Sequence, residues 1–186
     1  MDVEHMFATP LGMEELNDVD NDSLIEYCRQ KLRPEGQSLK LNANSYPLKH
    51  LTDKVTERVN LLHKICGLKS SQEVTAAWCN HGNHPSICRP HTHGRFDAFF
   101  VAIYYLNDSD VRINFQNPMS NIENLISADM IEEYNQFNQF VRYIYPRKGL
   151  LLIHPAWIVH YVDDIKDDRM SIAFNFKIRG ELKTSE

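Results

Sequence analysis

His154-Pro155-Ala156-Trp157-Ile158-Val159-His160-Tyr161-Val162, then an acidic turn from Asp163 to Asp168, then Arg169-Met170-Ser171-Ile172-Ala173-Phe174-Asn175-Phe176: this stretch decides the fold. It reads as two strands joined by the turn. Successive side chains of a strand point to opposite faces. Arg169, Ser171, Ala173 and Asn175 therefore share one face, and Met170, Ile172, Phe174 and Phe176 share the other. The second face is a core face. The first is small and polar, and it begins with an arginine. A guanidinium drawn into a core wants a planar anion such as a carboxylate. His160, nine residues before Arg169, could hold a metal ion beside it.

Upstream, short apolar runs predict further strands at Val74 to Asn80, Ala98 to Leu106, Val111 to Phe115, Phe140 to Tyr145 and Leu150 to Ile153, with Ile87 to His91 short and extended. Two helices come first. Asn21-Asp22-Ser23 offers an N-cap for one that runs to about Leu32, where Arg33-Pro34-Glu35-Gly36 stops it. Leu48, Leu51, Val55, Val59, Leu62 and Ile65 recur at three- and four-residue steps and define the second, closed by Gly67. Residues 37 to 47 read as loop. Residues 118 to 138 read as an irregular insertion or lid, with a helix from Ser127 to Tyr134. Two helices followed by about eight short strands predict helices packed on a small β-sandwich or barrel.

At 186 residues the chain is expected to form one domain, with an N-terminal segment over 1–70 and a β core over 72–178. A net charge of −5 gives no bulk attraction to nucleic acid, and no apolar run is long enough to span a bilayer. The polar, acidic start Met1-Asp2-Val3-Glu4-His5 places the chain in the cytoplasm by default, and four cysteines in a chain this long do not suggest a disulfide framework.

The nine histidines bunch. In His91-Thr92-His93 both imidazoles share a face if the segment is a strand; with His160 they would give three nitrogen donors and leave coordination positions open, which suits iron, manganese or zinc. The plain alternative is a pair of solvated histidines at a strand edge. Asp97 is a carboxylate alternative as third ligand, better read as a turn residue. Cys79, His81, His84 and Cys88 are zinc-ligand types in a spacing that fits no finger; Cys79 and Cys88 read as small core residues. Of the neighbouring Tyr104 and Tyr105, one packs while the other can offer its hydroxyl to a cavity.

In this order, His91-x-His93, the strand ending Tyr104-Tyr105-Leu106-Asn107, Gly149-Leu150-Leu151-Leu152-Ile153, His160 and Arg169-x-Ser171 resemble the iron(II)- and 2-oxoglutarate-dependent dioxygenases. The closest likeness is to the small group in which His-x-His replaces His-x-Asp. Phe7-Ala8-Thr9-Pro10 resembles that group's opening segment, and the tyrosine strand is similar to one in the prolyl hydroxylases. The resemblance covers about residues 72 to 178.

It implies a mostly β, double-stranded β-helix (jelly-roll, cupin-like) fold with the N-terminal helices packed on one sheet. It implies Fe(II), held by His91, His93 and His160, with 2-oxoglutarate and dioxygen as co-substrates. Arg169 would clasp the distal carboxylate of 2-oxoglutarate, assisted by Ser171 and Tyr104. The reaction implied is oxidation, by hydroxylation, of a substrate while 2-oxoglutarate is decarboxylated to succinate; the resemblance names neither that substrate nor an oligomeric state. His93 departs from the commoner carboxylate and leaves the site one negative charge short. The competing expectation is a metal-binding jelly-roll that is not an oxygenase, a cupin-like sensor or a pseudoenzyme, and Arg169 discriminates the two. A third is a zinc-stabilised interaction module built on the Cys79–Cys88 cluster.

Overall fold

The period-2 runs form strands and the period-3.6 runs form helices. The computed structural model describes residues 8–32, 37–69, 71–82, 85–94, 98–119 and 126–179. Helix α1 (Asn21–Arg29) is capped by Asp20, whose carboxylate accepts the Ser23 backbone N–H at 3.1 Å and the Ser23 hydroxyl at 2.6 Å. It buries Leu24 and Cys28, one turn apart. Helix α2 (Leu48–Ile65) buries Leu48, Leu51, Val55, Val59 and Leu62, and the chain leaves it through Gly67 at φ 70°. A short helix α3 (Pro85–Cys88) lies between two strands.

Nine strands are described: β1 (Gly12–Glu15), β2 (Gln37–Leu41), β3 (Ser71–His81), β4 (Phe100–Tyr105), β5 (Ile113–Gln116), β6 (Val141–Ile144), β7 (Leu150–Pro155), β8 (His160–Val162) and β9 (Met170–Arg179). They make a six-stranded sheet in the order β1-β7-β4-β9-β3-β2 and a three-stranded sheet in the order β6-β5-β8. All neighbours are antiparallel. From β4 onward the chain passes to the small sheet for β5 and β6, returns for β7, crosses for β8 and returns for β9. That winding is the expected jelly-roll.

Two cores follow from the alternation. Met170, Ile172, Phe174 and Phe176 meet the apolar stripe of α2 and Leu24 and Cys28 of α1 on the outer face of the large sheet. Val101, Ile103, Ala173, Ile113 and Val162 pack between the sheets. Burying each large apolar side chain stabilises the fold by about 1.5–3 kcal/mol, so the helices are held on the sheet by this stripe. No helix of the described residues is long and apolar enough to cross a membrane.

Some expectations are corrected. Residues 37–41 form β2 rather than loop, and Gly12–Glu15 form β1; both are edge strands with one partner. The side chains of β1 are mostly exposed, and β2 alternates over only two apolar residues, Leu39 and Leu41, too few to mark a strand by themselves. Ile87 and Cys88 are helical rather than extended, since Pro85 is tolerated in a first helical turn. The helix expected at Ser127 to Tyr134 is a 3-10 turn over Ala128–Met130. Phe7, the 33–36 stop, His84, Asp97 and residues 120–125 of the expected lid lie outside the described residues.

Candidate metal centre

The turn after β7 organises the site. Ala156 N–H bonds to the Phe99 carbonyl at 2.9 Å, and the Ala156 carbonyl accepts His93 N–H at 2.8 Å. His91 and His160 then form a two-way backbone bridge, at 3.1 and 3.0 Å. So β8 and the turn before it hold both neighbours of Thr92 by main-chain bonds, although 91–93 is not itself a strand. The rings of His91 and His160 are 4.4 Å apart, those of His93 and His160 5.1 Å, and those of His91 and His93 5.2 Å, centroid to centroid. One nitrogen from each falls within 4.8 Å of the others, and among the described residues this is the cluster of metal-ligating type.

Each Nδ1 is already committed. That of His91 donates to the Arg89 carbonyl at 2.8 Å, that of His160 to the Ile158 carbonyl at 3.1 Å, and that of His93 to the side-chain oxygen of Asn175 at 2.8 Å. An oxygen acceptor fixes the proton on Nδ1 and leaves the lone pair on Nε2, the tautomer a metal needs. Burial pushes His93 down to about 4, aided by the neighbouring His91, and pushes His160 well below the ordinary histidine range. His93 and His160 are therefore neutral at neutral pH, and the three-nitrogen set fits a divalent transition metal.

The metal-free protein should consequently lose stability in mild acid. These values lie below the ordinary ~6.5 of an unfolded histidine, so the unfolded chain binds protons first. The contribution is complete above about pH 6.5 and fades as pH falls towards about 4 for His93. At about 1.4 kcal/mol per pH unit, His93 alone accounts for roughly 3 kcal/mol. Urea unfolding of metal-free protein at pH 7 and pH 5 measures it; equal midpoints would contradict neutral, buried His93 and His160.

The triad opens onto a cavity of about 310 Å³ between the sheets. Its far end holds Arg169, 2% exposed. Its guanidinium lies over the Tyr105 ring at 5.1 Å and donates to the Tyr105 hydroxyl at 3.4 Å; its Nε is buried with no hydrogen-bond partner. No carboxylate of the described residues lies within ion-pair distance of it, and none lines the cavity. Register sets Ser171 beside Asn80 on one side and Tyr105 on the other, with Ser38 beyond Asn80, so a polar row crosses the sheet next to Arg169.

Arg169, Ser171, His91, His93 and His160 thus share one cavity. Tyr104 does not. It faces the helix-side core, where its hydroxyl donates to Asn21 Oδ1 at 2.7 Å and burial pushes it up to about 12. Tyr105, one residue on, takes the side of Arg169. Every residue of β4 is buried, so alternation could not choose between them; the Tyr105–Ser171 register does. Sequence reasoning also gave no role to Asn175 or to Trp78, whose ring stacks on His93 at 5.5 Å. The zinc-type cluster is not assembled by its described members: Cys79 lies in the helix-side core and His81 bonds Asp168 at 2.8 Å.

Residues 76–175 match a family model described as 2OG-Fe(II) oxygenase. No curated protein matches the chain by sequence. Among solved structures, the chain is similar to the non-haem alpha-ketoglutarate-dependent epimerase SnoN from nogalamycin biosynthesis (12% identity, TM-score 0.62, 91% of this chain and 77% of that one). It is similar to HygX from Streptomyces hygroscopicus with nickel and 2-oxoglutarate bound (11%, 0.62, 92% and 83%). It is also similar to a Pseudomonas putida prolyl-4-hydroxylase (16%, 0.57, 92% and 94%). At these identities the likeness carries the fold, and the family match carries the chemistry. The fold and the match define a jelly-roll oxygenase. The chain belongs to the 2OG-Fe(II) oxygenase family: it is a non-haem oxidoreductase that uses Fe(II), 2-oxoglutarate and dioxygen.

Proposed function

We propose that His91, His93 and His160 hold the iron through Nε2, and that Arg169 binds the distal carboxylate of 2-oxoglutarate, with Ser171 and Tyr105 beside it. The observation that carries the reading is Arg169: a guanidinium 2% exposed, with an unpartnered Nε and no acid at hand among the described residues. Burying such a charge is costly unless an anion meets it. A metal-binding jelly-roll without oxygenase activity has no use for it. Held by these three histidines, iron would supply the oxidative chemistry, in which decarboxylation of 2-oxoglutarate is coupled to hydroxylation of an organic substrate. The chain's own part is geometric. The Nδ1 bonds keep three lone pairs aimed inward, Arg169 fixes the far end of the co-substrate, and Val101, Ile103, Ile113 and Val162 keep the cavity wall apolar. We further propose one domain in the cytoplasm; a chain of 186 residues with only four cysteines has a core large enough not to need a disulfide framework.

The tyrosine pair tests the placement of the co-substrate. Tyr105→Phe should weaken 2-oxoglutarate binding about three- to tenfold, the equivalent of one hydrogen bond of 0.5–1.5 kcal/mol. Tyr104→Phe should leave that affinity alone and lower stability by about 1–3 kcal/mol, because Asn21 Oδ1 loses its buried donor. Calorimetric titration of 2-oxoglutarate into both metal-loaded variants reads the difference. A loss confined to Tyr104→Phe would place the carboxylate on the wrong side of the sheet.

A further inference from the structure

Four histidines meet at the metal end of the space between the sheets, not three. His154 follows Leu150 and Leu152 as the last inter-sheet residue of β7 and is 1% exposed. Its ring stands edge-to-face with that of His160, centroids 4.5 Å apart and planes at 66°, and Phe115 packs against it at 5.1 Å. Its Nδ1 donates to the Pro155 carbonyl at 2.9 Å, which leaves the lone pair on Nε2. That nitrogen is buried and meets no donor. Packing alone gives no reason for it. A phenylalanine would fill the same apolar surroundings without leaving an acceptor unmet.

We propose that His154 is a positioning residue for the metal: it holds the His160 ring in its ligating orientation and stabilises the positive charge that a bound dication draws onto that ring. The proposal rests on the triad holding the ion. His160 makes one side-chain hydrogen bond, 3.1 Å from Nδ1 to the Ile158 carbonyl, and the tilt of its ring about that bond is set by the rings packed on it. Of these His154, at 4.5 Å and 66°, is the one that is not itself a ligand and carries a lone pair. An imidazole bound to a dication becomes electron-poor. A neutral imidazole beside it, with an uncommitted lone pair, is a fixed dipole of the right kind to face that charge, and the three neutral ligands bring no negative charge of their own. The same lone pair is a liability when no metal is bound. Removing it should therefore act with opposite sign on the metal-free and metal-bound protein, which a merely structural side chain would not do.

The test is Co(II) binding, with Co(II) as the spectroscopic probe, in full-length His154→Phe and His154→Gln. His154→Phe should match or exceed the wild-type thermal midpoint when metal-free. It should bind Co(II) ten- to a hundredfold more weakly and show a shifted Co(II) visible spectrum. His154→Gln, which restores a buried acceptor, should recover part of that affinity. Wild-type affinity and spectrum in His154→Phe would overturn the proposal. So would a metal-free midpoint that falls in step with affinity, or failure of His154→Phe to fold, since either makes the residue structural. If wild type does not bind Co(II), or His160→Ala binds it as well as wild type, the triad itself is wrong and His154 loses its role with it.

Discussion

Replacing His160 by alanine is expected to abolish tight binding of a divalent metal while leaving the fold in place. His160 is 3% exposed and its ring is the one closest to both of the others. Loss of a residue that only orients a ligand typically costs ten- to a hundredfold in affinity, so loss of a ligand itself should cost more than roughly a hundredfold. The backbone bridge between His91 and His160 uses main-chain groups and survives the substitution. The variant also removes a buried imidazole that costs stability in acid, so its metal-free thermal midpoint should move little. His81→Ala is the matched control: it breaks a bond to Asp168 at 2.8 Å and touches no part of the triad. Metal content measured after dialysis separates the two. Retention of one equivalent by His160→Ala, or its loss in His81→Ala, would move the centre elsewhere.

Arg169→Ala is expected to weaken 2-oxoglutarate binding by roughly a hundredfold or more without loss of metal. Two charge-assisted bonds at about 1.5–3 kcal/mol each amount to two or more factors of ten, at about 1.4 kcal/mol per factor. Arg169→Lys keeps the charge but not the planar fork, so it should be impaired as well. Stability gives an independent check. In the ligand-free protein the guanidinium is buried with an unpartnered Nε and one long bond to Tyr105, so Arg169→Met, which keeps the packing, should be at least as stable as wild type. A large loss of stability in Arg169→Met would mean that the arginine serves the fold rather than an anion.

Much of this was legible in the chain, for identifiable reasons. The division of β9 into an apolar face and a polar one was readable because the two faces meet different surroundings, a helix stripe and a cavity. The stripe of α2 was readable because five residues at helical spacing leave no other geometry. His91, His93 and His160 could be picked by residue type and order, but their convergence depends on the bridge to β8 rather than on the shared strand face expected of His91 and His93. Tyr104 was chosen over Tyr105 because a strand buried on both sides carries no alternation signal. Asn175 was placed on the face of Arg169 but given no partner, and His154 was given no role because it stands in an apolar run, where a polar residue gives no hint of what it will touch. The edge strands β1 and β2 were missed because their pairing is set by partners distant in sequence.

The central claim is that one cavity holds both the iron and the dicarboxylate, with the three histidines at one end and Arg169 at the other. Anaerobic titration of 2-oxoglutarate into the Fe(II)-loaded protein tests it directly, through the visible charge-transfer absorption that arises when the keto acid binds the metal. The expected result is a band that saturates at one equivalent in wild type, is absent in His160→Ala, and needs roughly a hundredfold more 2-oxoglutarate in Arg169→Ala. A wild-type protein that binds Fe(II) yet gives no band, or an Arg169→Ala titration that overlays the wild type, would contradict it.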